Sequence, residues 1–392
     1  MAGPDRILVL GGSHSELPLI EAARRMGLGV VTSGNQPDHP GHQVADLYLP
    51  GDFSDADQME DILARSGCRH LVAAANDYAY LTACQIAQRQ GLPGFDPAET
   101  AFALHHKHLF KPLALSLGLP VTRFKVVNAG MAVDDPAPSL NYPLIVKPVD
   151  LTGGKGMTVV RSPEQLPAAV AHAASLSRQQ DIVIEEFFEG SLHSYSTIIA
   201  DGRVVFEYAD NEFCHPNPFL VSTSTSLASV PVHILTDLRH QTEKLARHLR
   251  LRDGVLHAQF LYGIGEYRIL EYTRRCSGDL YSLVVERVTG LRHAEQFVRQ
   301  SLGMPTELAW TPARHNFVSR HCVFAPDPGT MREIRIDPRL QPHVVSVVPA
   351  WPSTHHYRHP NAEKAAVVLL HYPGIGAMAG FTPRLHELIH GH

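Results

Sequence analysis

Lys147 leaves the apolar run Leu144-Ile145-Val146, and shortly after it Gly153-Gly154-Lys155-Gly156 opens onto Met157-Thr158-Val159-Val160. A strand, a fixed cation, a glycine loop and a second strand form a hairpin able to grip a polyphosphate. Glycines let backbone N–H groups approach phosphate oxygens with no Cβ in the way. Lys155 adds a second cation at the loop tip. The GxxxxGK[ST] pattern is absent and a strand follows where a P-loop or a Rossmann turn would open a helix, so the loop is neither. Taken alone, the same run would also serve as an ordinary hairpin turn.

A second segment, Glu266-Tyr-Arg-Ile-Leu-Glu-Tyr-Thr-Arg-Arg-Cys-Ser-Gly-Asp279, carries oxygens and charge. Alternate side chains of a strand share a face, so Glu271, Thr273 and Arg275 form one polar row. A hairpin closing at Gly263-Ile264-Gly265 brings Gln259 of the preceding strand beside Glu271. Such oxygens suit Mg²⁺ that bridges phosphates, which asks for only one or two carboxylates. A solvated face or a salt-bridge ladder reads the same way from spacing alone.

These groups need elements to hold them. Strand Arg6–Leu10, helix Leu17–Met26, strand Gly29–Ser33, helix Asp55–Ser66, strand His70–Ala74 and helix Tyr78–Gln90 predict an open parallel α/β sheet. Ligands of such sheets sit beyond the carboxyl ends of the strands, here Ser13, His14, Glu16, Asn76 and Asp77, although Gly11 and Gly12 equally fit a simple turn. Helix signals span Pro97–Gly118, with Lys107 and Lys111 one turn apart. The hairpin, a helix over Pro163–Ser177 and strand Asp181–Glu186 predict a compact α+β unit. Strands Ser194–Ile199, Val204–Tyr208, Leu256–Leu261 and Glu266–Tyr272, with helices near 233–250 and 279–301, predict a mixed or antiparallel sheet covered by helices. The remainder reads as β-rich (Phe317–Phe324, Val344–Val348, Ala365–His371), ending in a helix over Thr382–His390. Asp279 is expected to cap the helix that follows it.

At 392 residues the chain exceeds one typical core. Charged residues are 19% and the net charge is −5, so no global basic field favours nucleic acid. No apolar run reaches membrane-span length and the start runs directly into a strand, which predicts a cytoplasmic protein without a membrane partner. The five cysteines are far apart and read as buried free thiols. The 25 histidines read as solvated or core side chains.

Taken in order, the pieces resemble the ATP-grasp superfamily. The resemblance rests on Lys107 before Gly118-Leu-Pro120, Val146-Lys147-Pro148, Gly153-Gly-Lys-Gly156, Ile184-Glu-Glu-Phe-Phe-Glu-Gly190, and Gly254-Val-Leu-His-Ala-Gln-Phe260 with Ile269-Leu-Glu-Tyr-Thr-Arg-Arg-Cys-Ser-Gly278. The leading segment Ile7-Leu-Val-Leu-Gly-Gly-Ser-His-Ser-Glu-Leu17 is similar to that of the branch holding the purine-pathway carboxylases and formyltransferases and carbamoyl-phosphate synthase. The resemblance implies ATP and Mg²⁺ as cofactors, with Lys107 and Lys147 on the phosphates under the loop Gly153, Gly154, Lys155 and Gly156. It implies Glu185 and the backbone near Phe187 at the adenine edge with Glu186 nearby, and Gln259 and Glu271 on the metal. Arg275, with Arg274 beside it, would steady the acyl phosphate or the substrate carboxylate. Thr273 stands where the family usually has a metal-binding asparagine. Leu192 stands where an acidic residue often reaches the ribose, with Glu189 or His193 as compensating groups.

The expected fold class is therefore α/β and α+β. It comprises an N-terminal open parallel α/β substrate domain (1–104), a linker helix and ATP-grasp lid (105–190), a central catalytic subdomain (191–305) and a C-terminal β-rich cap (306–392). The implied activity is an ADP-forming carboxylate–amine or carboxylate–thiol ligase working through an acyl phosphate on an amino acid or small acid. A degenerate nucleotide-binding or metabolite-sensing protein is the alternative. The family branch further implies a homodimer.

Overall fold

The computed structural model describes residues 5–73, 75–130, 139–151, 153–215, 217–308 and 316–392. Strands β1 (Arg6–Leu10), β2 (Gly29–Gly34), β3 (Leu47–Pro50) and β4 (His70–Ala73) form a parallel sheet of order β3-β2-β1-β4. Between and after them come α1 (Leu17–Arg25), α2 (Pro40–Val44), α3 (Ala56–Ser66) and α4 (Asp77–Gln90). Ile7, Leu8, Val9 and Leu10 are all buried, as expected of a central strand covered on both faces. Strand β3 carries half-exposed Tyr48 and Leu49 at the sheet edge and was not expected from the sequence. Ala74, the expected end of β4, lies outside the described residues.

The helix expected over Pro97–Gly118 is two, α5 (Ala98–His105) and α6 (Lys107–Ser116), because His106 between them is extended at φ −107°. The lid sheet follows: β5 (Phe124–Asn128), β6 (Leu144–Pro148), β7 (Thr158–Val160), α7 (Leu166–Leu176) and β8 (Asp181–Glu186), antiparallel in the order β5-β8-β6-β7. Leu144, Val146, Ile182 and Ile184 meet Leu166, Val170 and Ala173 of α7 in a core of their own. Full burial of each such aliphatic side chain contributes roughly 1.5–3 kcal/mol.

The central unit comprises β9 (Ser191–Ala200), β10 (Arg203–Phe213), β11 (Thr223–Ser226), α8 (Val232–Leu249), β12 (Gly254–Gly263), β13 (Glu266–Thr273), α9 (Tyr281–Thr289) and α10 (His293–Ser301). The helix expected over 279–301 is split at Gly290, whose φ is +78°. Beyond these lie β14 (Val318–Phe324), β15 (Gly329–Thr330), β16 (Ile334–Ile336), β17 (Val344–Pro349), β18 (His356–Tyr357), β19 (Lys364–His371), α11 (Ile375–Phe381), α12 (Leu385–Leu388) and β20 (Ile389–Gly391).

The C-terminal strands do not form a separate main sheet. β14, β19 and β17 extend the central sheet to eight strands, β13-β12-β9-β10-β11-β14-β19-β17, all antiparallel. The helix expected over Thr382–His390 shortens to a 3₁₀ turn at Thr382–Arg384 and α12, since Ile389–Gly391 pairs with β16 instead. One core joins the first sheet to the central one: Ile7, Val9 and Leu19 share it with Tyr208, Val255, Tyr281 and Phe297. Among the described residues no helix is long and apolar enough to cross a membrane.

Candidate functional site

A cavity of about 690 Å³ opens between the lid and the end of the central sheet. Ile145 on β6, Val159 on β7, Phe187 after β8, Leu261 on β12 and Leu270 on β13 give it apolar walls. Lys107, Lys147, Gly153 and Gly154 line it from the lid side, and Glu212, Gln259 and Glu271 from the sheet. An apolar-walled cavity with cations and oxygen ligands around it matches the needs of a nucleoside polyphosphate.

The glycine loop takes a shape other residues rarely adopt, with Gly153, Gly154 and Gly156 at φ +67°, +73° and +70°. It rests on the connection between β10 and β11: a Cβ on Gly154 would lie 2.7 Å from the Phe219 carbonyl oxygen. Lys155 is exposed at the tip and Gly156 is buried against Pro148. Neither lines the cavity, so of the expected loop residues only Gly153 and Gly154 do.

Lys147 follows from the register of β6 on β8, which places Ile145 opposite Glu185. Glu185, 1% exposed, accepts from Lys111 Nζ at 2.9 Å and from Thr122 Oγ1 at 2.5 Å, and lies 3.2 Å from Lys147 Nζ. Burial works against its ionisation, but Lys111 and Lys147 draw the carboxyl down to about 2. Glu185 therefore pins two lysines, and its carboxylate is engaged with them rather than turned to an adenine edge. Lys107, first residue of α6, donates to the Leu151 carbonyl at 2.8 Å. Glu186 accepts from Asn141 Nδ2 at 3.0 Å and lines the cavity, as do Phe187 and exposed Glu189. The Phe187 N–H donates to the Pro143 carbonyl at 2.9 Å. His193 does not face the cavity: it is fully buried, bonded to Ser191 Oγ at 2.6 Å and stacked on Phe260, and burial pushes its imidazole down to about 4.

On the metal side, Gln259 of β12 sits opposite Glu271 of β13 as expected. One carboxylate and one amide oxygen on adjacent strands fit a hard cation that also takes phosphate oxygens and water. Among the described residues no group of three or more His, Cys, Asp or Glu side chains is arranged to hold a metal unaided. Thr273 is paired with His257, one row away, and its buried Oγ1 has no partner; it does not line the cavity. His386-Glu387-Leu388-Ile389-His390 spells H-E-x-x-H, but the helix stops at Leu388 and His390 lies on β20, so the two imidazoles share no helix face.

Glu212 is a residue that sequence reasoning missed. It is the last residue but one of β10, lines the cavity, and accepts from Gln259 Nε2 at 2.7 Å. Burial raises its carboxyl above the usual range, against the pull of Arg320 and Gln259. The signal was present: Val204, Phe206, Tyr208, Asp210 and Glu212 alternate on one face, but Asp210 and Asn211 resemble turn residues and curtailed the expected strand.

The residues expected to contact substrate fare differently. Ser13 and Glu16 bond one another in a capping box at the 3₁₀ turn His14–Glu16, and Asn76 caps α4 through Tyr78 N–H at 2.9 Å. Arg274 is fully buried, paired with Asp96 at 2.7 Å and donating to the Val255 and Arg252 carbonyls, so it braces the fold. Arg275 is held by Asp77 at 2.6 Å, with His105 Nδ1 2.8 Å from the same oxygen. Burial opposes it, yet Arg275 and His105 keep the Asp77 carboxyl well below the usual carboxylate range. Asp279 does not cap α9, whose N-cap is Leu280 with no side-chain bond. Its carboxylate joins three elements instead, lying 3.2 Å from His14, 2.5 Å from Lys364 and 3.5 Å from Arg320. Cys276 is buried 3.1 Å from Ser282 Oγ, and burial pushes its thiol up to about 12, far from a nucleophile's range.

A lid sheet closing over a central antiparallel sheet, with an apolar slot, paired lysines and a Gln–Glu oxygen pair between them, defines an ATP-grasp nucleotide-binding protein. Residues 107–308 match the model of the carbamoyl-phosphate synthase L chain, ATP binding domain, and the chain belongs to that family. It is similar to a formate-dependent phosphoribosylglycinamide formyltransferase of Synechococcus sp. (strain CC9902), 29% identical over 196 residues, 49% of each chain. It is also similar to the enzyme so named in Synechococcus sp. (strain RCC307), 25% identical over 311 residues, 77% of each chain. The chain thus spans about half the length of the first of these curated relatives. It shares its fold with the L-amino acid ligase of Bacillus licheniformis, at a TM-score of 0.79 and 17% identity, covering 100% of this chain and 99% of that one.

Proposed function

We propose that the protein is an ADP-forming ligase that activates a small carboxylate with ATP and passes the acyl group to an amine or thiol. The observation that carries this reading is the placement of Lys107 and Lys147 around the same cavity as Gln259 and Glu271. In-line phosphoryl transfer needs charge neutralisation and positioning more than a protein nucleophile. The two lysines neutralise the phosphates, and the loop with Gly153 and Gly154 excludes water above them. Gln259 and Glu271 would hold Mg²⁺, which would supply positive charge to the phosphates. Arg275, two residues past the end of β13 and fixed there by Asp77, steadies the substrate carboxylate or the acyl phosphate. The substrate class is an amino acid or other small carboxylic acid with a small-molecule nucleophile, and the expected assembly is a homodimer. Supporting the reading, both curated relatives are named as formyltransferases that use formate, and the ligase with the same fold is named for L-amino acids.

The test is ADP release with pooled small acids and amines. Turnover in the wild type that disappears in Lys147→Ala and Glu271→Ala is expected. Nucleotide binding without turnover under every substrate pool overturns the ligase reading.

A further inference from the structure

Gln259 and Glu212 are not strand neighbours. β9 lies between β12 and β10, and Ser194, which faces Gln259 on one side and Asp210 on the other, separates them. The Gln259 side chain crosses over β9 to bond Glu212 Oε2 through Nε2 at 2.7 Å. Ser194 does not compete for it, because its hydroxyl bonds Asp210 and the Tyr281 hydroxyl.

A glutamine amide has two nearly equivalent ends, one an acceptor and one a donor, and only the oxygen can ligate a hard cation. A carboxylate only accepts, so it selects the NH₂ end. We propose that Glu212 is a positioning residue that fixes the Gln259 amide with its NH₂ toward β10, leaving Oε1 as the atom presented with Glu271 to the cation. The inference rests on the metal-nucleotide reading given above. It assigns Glu212 no contact with the metal. Arg320 supports the arrangement from behind: it is opposite Ser224, which is opposite Glu212, and it bonds Ser224 Oγ at 3.1 Å, giving the buried carboxylate a countercharge. Residues that orient metal ligands typically change metal affinity by about 10–100-fold when removed.

A double-mutant cycle tests this, read as Mn²⁺ affinity in the presence of ADP by electron paramagnetic resonance, with Mn²⁺ in place of Mg²⁺. Glu212→Ala and Gln259→Ala are each expected to weaken Mn²⁺ binding by about tenfold or more. The double variant is expected to be no weaker than Gln259→Ala alone. Glu212→Gln, whose amide can pair with either end of Gln259 and so no longer selects the NH₂ end, is expected to recover only part of the affinity, and ADP binding without metal reports that each variant is folded. Unchanged affinity in Glu212→Ala, or losses that add in the double variant, overturns the positioning role; additive losses would make Glu212 an independent ligand. A wild-type protein that binds ADP but no Mn²⁺ overturns the metal-site reading itself, and the inference with it.

Discussion

Lys147 Nζ stands 3.2 Å from Glu185 Oε1, and Lys111 takes the other oxygen of the same carboxylate. The lysine expected to meet phosphate is thereby held by a glutamate to which the family resemblance gave another task. Removing one partner of a buried ion pair leaves an uncompensated charge. Glu185→Ala is therefore expected to lower unfolding free energy by about 3–5 kcal/mol in urea titrations. Lys147→Ala, with Lys111 still on Glu185, is expected to lose less stability while losing nucleotide affinity. Equal stability loss in both would refute this division.

Gly154→Ala tests the closed loop. The new Cβ would lie 2.5 Å from Phe219 Cβ, at a φ of +73° that side chains rarely adopt. We expect the nucleotide Kd to rise about tenfold, with a melting temperature that moves by only a few degrees because the loop is peripheral to the lid core.

Arg274→Met removes a guanidinium that is 0% exposed and leaves the buried Asp96 carboxylate without its countercharge, with only the Arg252 N–H still donating to it. A loss of roughly 3 kcal/mol or more is expected by calorimetry. An Arg274→Met protein of native stability with a selectively raised substrate KM would restore a recognition role to this residue.

Acid sensitivity follows from three imidazoles. Burial holds His257, His293 and His321 each down to about 3. Their folded pKa lies below the unfolded value, so the unfolded chain binds more protons between about pH 6.5 and 3, and stability rises with pH there. Each contributes about 1.4 kcal/mol per pH unit. His293→Gln is expected to show a shallower loss of melting temperature from pH 7 to 5 than the wild type, and parallel curves would contradict the assignment.

Local pattern alone placed β1, α1, β6, β8 and the β12–β13 hairpin, because burial on one face writes a period into the chain. It also placed Lys147, the glycine loop, Gln259 and Glu271, whose chemistry depends on near neighbours along a hairpin, and the family resemblance built on them agrees with the match over residues 107–308. What it could not place are relations across strands distant in sequence. Asp279 meets His14 and Lys364, Asp77 holds Arg275, and Glu212 meets Gln259 only once the sheet has set its strand order. Charged and polar side chains pair with whatever the fold brings near, and their spacing along the chain carries no record of it. Sequence determined which residue types a hairpin brings side by side; tertiary structure decided which polar groups face the cavity, and which are consumed in holding it together.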